Sequence, residues 1–141
     1  MTSTNKKSSL PPSLVRGAVW GVVAAMAMAM FAMITSVSYQ HHGFFTPLFH
    51  ISALVGSPKS MMTSVAEAMA GNRFWFAAGP AVVGLMIHMI TGAAYGMGFA
   101  LLARRIPRTS LLPVGVAYGV GVFVVSSFIA LPLAAAVTGS G

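Results

Sequence analysis

Few residue types in this chain can do chemistry. Its 141 residues include four histidines, one acid (Glu67) and no cysteine. Disulfides, thiolate metal sites, cysteine nucleophiles and paired-carboxylate catalysis are therefore excluded by residue type. Imidazole remains. His88 stands inside the apolar stretch from Gly79 to Arg105, with Gly84 four residues before it and Gly92 four after. Residues four apart share a helix face, so two glycines there would clear a flat surface beside the ring. A haem or chlorin ligated by His88 needs such a surface, and His50 is the candidate second ligand. Proton or quinone handling is the other chemistry open to an imidazole at bilayer depth. The plainer expectation is structural, with His88 bonded to a backbone carbonyl, Thr91, Ser126 or Ser127.

His41, His42 and His50 form a second candidate set, for a metal, and nearby methionines would favour copper. Adjacent histidines do not readily share one tetrahedral site, which counts against it. Met26, Met30 and Met33 share a face of the first apolar run and read as adaptable packing. The sequence has no phosphate loop or nucleophile motif, and no acid within an apolar run to couple ion movement. The expectation is a non-enzymatic protein, with no cofactor as the leading reading; a small channel or transporter, which would rely on His88 alone, is the weaker alternative.

Elements that could position these residues follow from composition. Hydrophobic residues make up 57% of the chain and charged residues 6%, far below the roughly 25% charged of an average soluble domain. The fold class expected is an all-α membrane protein with three transmembrane helices and a re-entrant or interfacial helical segment; a four-span bundle is the alternative. Residues 1–13 read as a disordered cytoplasmic tail, residues 14–137 as one transmembrane domain and residues 138–141 as a flexible end. Spans are expected at about 14–39, 77–103 and 111–137, each long enough for the roughly 30 Å hydrocarbon layer. Ala27-Met28-Ala29 has the small-residue spacing of a signal-peptide cleavage site, but the apolar run continues well past a usual signal core.

Between the first two spans, residues 40–76 are irregular. Phe44 to Gly56 is apolar but too short to cross, so it should dip and return. Ser57-Pro58 can start an interfacial helix over about 58–70, with Lys59, Ser60, Ser64 and Glu67 as its polar side. Arg73, Phe74, Trp75 and Phe76 follow as a headgroup-level anchor.

The net charge of +7 raises the question of nucleic acid, but its placement argues for lipid. Lys6, Lys7 and Arg16 precede or open the first apolar run, and Arg104, Arg105 and Arg108 separate the last two. Charge at span ends orients the chain and contacts headgroups. With fewer basic residues in 40–76, the N-terminus is expected in the cytoplasm and the histidine-bearing segment outside.

A phrase repeats along the chain. Gly92-Ala93-Ala94-Tyr95-Gly96 matches Gly115-Val116-Ala117-Tyr118-Gly119, and Gly17-Ala18-Val19-Trp20-Gly21 is a looser copy. Glycines four apart let helix backbones approach closely, and packing of that kind dominates helix association in lipid. The three copies are expected to form one close-packed layer, within a chain or between chains. Three spans make a thin bundle, so a homo-oligomer or a subunit of a larger membrane complex is expected.

The short segment Ile51-Ser52-Ala53-Leu54-Val55-Gly56, the phrase Gly84-Leu85-Met86-Ile87-His88-Met89-Ile90-Thr91-Gly92 and Leu131-Pro132-Leu133 before a small-residue tail give the chain a family look. It resembles a group of small bacterial integral membrane proteins of about 140 residues, known as a domain of unknown function. The resemblance implies a bacterial plasma membrane location and weight on His88, and it implies no activity.

Overall fold

A computed structural model of the chain describes residues 10–130 together with 132, 133 and 136. Residues 1–9 of the tail expected over 1–13, the end of the third span and residues 138–141 lie outside these, and α1 already begins within the expected tail, at Pro12. The described residues are helical without strands, in the order α1 (Pro12–Ser38), α2 (Thr46–Ala53), α3 (Lys59–Met69), α4 (Ala78–Ala103) and α5 (Leu111–Val125). A 3₁₀ turn over Arg108–Ser110 leads into α5, and a π-helical turn over Ser126–Ala130 continues it. Three helices, α1, α4 and α5 with its flanking turns, are long and apolar enough to cross a membrane. At 8 and 11 residues, α2 and α3 extend only about 12 and 17 Å, so the described residues contain no fourth span.

Helix α1 starts with Pro12 in its first turn, where a missing N–H costs nothing. Ser13 does not cap it; its Oγ instead accepts a hydrogen bond from Arg104 Nη2. That contact joins the beginning of α1 to the end of α4, and the two helices run antiparallel. We call this the arginine end. At the opposite, histidine end, α1 stops at Ser38, and His41 beyond it takes a left-handed backbone (φ 56°).

Helix α3 closes with a Schellman motif. Gly71 adopts φ 99°, its N–H bonds Ala68 O at 3.1 Å, and the Asn72 N–H bonds Glu67 O at 2.8 Å, which satisfies carbonyls that would otherwise be orphaned. At its start, Ser57 Oγ accepts the Lys59 N–H at 3.4 Å.

The polar side expected of α3 is only partly outward. Ser64 is fully buried whereas Met62 and Met69 are exposed. The reason is a polar knot. Ser64 Oγ and Thr46 Oγ1 share a hydrogen bond of 2.8 Å, and Ser36 Oγ donates to Gly43 O at 2.9 Å. Ser36, Thr46 and Ser64 are all 0–1% exposed. A Cβ on Gly43 would lie 2.5 Å from Ser64 Oγ and 3.0 Å from Thr46 Oγ1, so glycine is what lets the loop close over the knot.

The aromatic anchor also packs on α2 and the loop before it, with Phe74 and Phe76 remaining exposed and Trp75 half-buried. Phe74 stacks on Phe44 with centroids 5.6 Å apart, Phe76 meets Phe45 at 4.8 Å and Trp75 meets Phe49 at 5.5 Å. Phe49 is completely buried, in a small core with Met33, Leu48 and Ala81. Residues 74–76 therefore hold α2 in place as well as lying near the end of the spans.

Candidate functional site: the glycine seam and His88

The site is a seam between two helix faces. On α1, Gly17, Gly21, Ala25, Ala29, Met33 and Ser36 recur at helical spacing, and the last four are the buried residues of that helix. Ala81, Gly84, His88, Gly92, Gly96 and Ala100 form the facing row of α4. A Cβ on Gly17 would sit 2.6 Å from Ala100 Cβ, and one on Gly92 would sit 2.5 Å from Ala25 Cβ and 2.8 Å from Gly21 O. Built Cβ atoms on Gly21 and Gly96 would collide with the carbonyls of Gly92 and Gly17. Main chain therefore meets main chain along this row, and any larger side chain would force the helices apart.

Toward the histidine end the row also meets α2, while Ala81 shares a buried core with Met33 of α1. A Cβ on Gly84 would run into the Leu48 carbonyl, so α2 lies on α4 as closely as α1 does further along. His88, the eleventh of the 26 residues of α4, comes between Gly84, approached by α2, and Gly92, approached by α1. It is the single ionisable side chain in a row of otherwise small residues.

Its ring is half-buried, and Nε2 donates to Ala25 O at 2.8 Å. A carbonyl only accepts, so Nε2 carries a proton here. Of the other expected partners, Thr91, Ser126 and Ser127, the first two are engaged elsewhere. Thr91 Oγ1 donates to Ile87 O at 2.8 Å, and Ser126 Oγ shares a 3.3 Å hydrogen bond with Tyr95 OH.

The flat clearing expected beside His88 is filled. Gly84 is covered by Leu48, and Gly92 by Ala25 and Gly21, because these glycines serve helix approach. A haem or chlorin seated on them would displace α1 or α2, so the residues present do not fit such a group. His50, the expected second ligand, is exposed and turns Nδ1 back to Thr46 O at 3.0 Å.

Nor do His41, His42 and His50 gather into a centre. Among the described residues no group of three or more His, Cys, Asp or Glu side chains is placed to hold a metal ion. His41 has a left-handed backbone and is exposed, whereas the His42 N–H bonds Ser36 O at 3.0 Å and its Nδ1 is buried with no hydrogen-bond partner.

The third copy of the glycine phrase departs from the expected common layer. Gly115 touches only the Phe99 ring, 3.5 Å from a built Cβ, and Gly119 and Gly121 have nothing within 4 Å. Helix α5 leans on α4 through aromatic residues. Phe99 and Tyr118 have centroids 5.3 Å apart, and Tyr118 OH donates to Tyr95 O at 2.8 Å. No residue of α5 is buried. Leu112, Val116, Gly119 and Phe123 share one face by their spacing, and the three large residues among them are exposed.

Sequence reasoning passed over Ser36 and Thr46 and took Ser64 for a surface residue, since isolated hydroxyls carry no pairing signal. No protein-family model, curated protein or solved structure matches the chain.

Proposed function

We propose that this chain is a non-enzymatic structural protein of a bacterial plasma membrane that assembles with copies of itself through α5. The observation carrying this reading is the unequal use of one repeated phrase. Gly92 and Gly96 are consumed by contact with α1 inside the chain, whereas Gly119 is open on a face that also bears Leu112, Val116 and Phe123. In lipid an open glycine gains little from the surrounding acyl chains, and close backbone approach by a second helix gains dispersion contacts. Two α5 helices from identically oriented copies would meet about a two-fold axis, the commonest closed arrangement for self-assembly. The basic residues at the arginine end favour the cytoplasm for that end.

The absence of cysteine from the sequence makes the test clean. Single cysteines at Val116, Val120 or Phe123 on α5 should crosslink between copies in native membranes. Cysteines at Val19 on α1 or Met86 on α4 should crosslink far less. Equal crosslinking at all five positions, or crosslinking confined to α1 and α4, would overturn the reading.

A further inference from the structure

We propose that the arginine end holds an anionic phospholipid in the groove beside the last turn of α4. Leu101, Leu102, Arg104 and Arg105 line an open groove of about 470 Å³ there. Both leucines are exposed and lie one turn deeper than the arginines, which suits an acyl chain below and a phosphate above. Arg104 is fixed through Nη2 to Ser13 Oγ. Arg16 and Arg108, also exposed, stand at the same end.

Charge decides the class of occupant. The chain contains one Asp or Glu residue in all. That residue, Glu67, lies at the histidine end, where its carboxylate accepts a hydrogen bond from Asn72 Nδ2 at 3.2 Å. No aspartate or glutamate of this chain can therefore neutralise the four arginines. Guanidinium groups pair with phosphate through two parallel hydrogen bonds and stay charged at any physiological pH. A zwitterionic headgroup would bring a cation against the cluster, whereas a phosphatidylglycerol headgroup would not. Basic clusters between span ends are established headgroup sites in general.

The test is native mass spectrometry of the full chain in detergent with equal phosphatidylglycerol and phosphatidylcholine. Wild type should retain phosphatidylglycerol preferentially, and excess inorganic phosphate should not displace it. Arg104→Gln with Arg105→Gln should lower phosphatidylglycerol retention by about thirtyfold, whereas Arg73→Gln at the opposite end should leave it unchanged. Arg104→Lys with Arg105→Lys should keep most of the preference. Equal retention of the two lipids by wild type, displacement by free phosphate, or undiminished retention by the glutamine variant would each overturn the proposal. The wild-type comparison decides it even if the glutamine variant fails to fold.

Discussion

His88 Nε2 donates to the carbonyl oxygen of Ala25 at 2.8 Å, joining residues 63 positions apart in sequence. The bond crosses from α4 to α1 between Gly84, which α2 approaches, and Gly92, which α1 approaches. Ala25 O is already in position to serve its own helix, so the imidazole adds a second hydrogen bond to one carbonyl. Replacing His88 with Ala should lower stability by about 1 kcal/mol, the scale of interhelical hydrogen bonds in membranes. Denaturant titration in mixed micelles would measure it. A loss far above that value would mean that His88 does more than tie two helices.

Gly96 and Gly119 occupy matching places in the repeated phrase and should respond oppositely to the same change. Gly96→Ile drives a side chain into the backbone of α1 at Gly17 and Gly21 and should cost about 3 kcal/mol or more. Gly119→Ile adds a side chain into open space and should leave the stability of the single chain within about 0.5 kcal/mol of wild type. Unfolding curves of the two variants in one detergent would check the contrast.

Gly84 governs α2. A Gly84→Leu substitution must push Leu48 and its neighbours off α4, exposing Phe49 and the Trp75 ring packed 5.5 Å from it. In a Trp20→Phe background the emission of Trp75 should shift to the red, with the helical content of the long spans retained. An unshifted spectrum would mean that α2 does not depend on that glycine.

Thr46 and Ser64 form a buried pair whose members should be worth more together than apart. Thr46→Val leaves the Ser64 hydroxyl without its 2.8 Å partner and should cost about 1–3 kcal/mol. The double variant Thr46→Val with Ser64→Ala removes both polar groups and should cost clearly less than the sum of the singles. A double-mutant cycle would read this as a coupling of about 1 kcal/mol.

The long helices were legible because apolar length is a one-dimensional property. The expected starts and stops of the first two spans fall within two residues of Pro12–Ser38 and Ala78–Ala103. Which way a glycine face points was not legible. The Gly92 and Gly115 phrases read almost alike, yet one faces α1 and the other is largely open, because orientation about the helix axis depends on neighbours that the phrase does not contain. A backbone carbonyl was expected as a partner of His88, but which carbonyl was hidden for a related reason. Its acceptor is a main-chain carbonyl, and every residue has one. Gly84 was read only as clearing a surface beside His88, because a glycine beside a histidine suits a flat cofactor and a close helix equally well; Gly92 carried both readings, and close approach of α1 is what occupies it.

The measurement that bears most directly on the central claim is dilution-dependent energy transfer between labelled copies in lipid bilayers, comparing wild type with Gly119→Ile. The account predicts that wild-type copies associate and that Gly119→Ile weakens association at least tenfold while each chain stays folded. Association unchanged by Gly119→Ile would contradict it, because the open face of α5 would then have no part in bringing copies together.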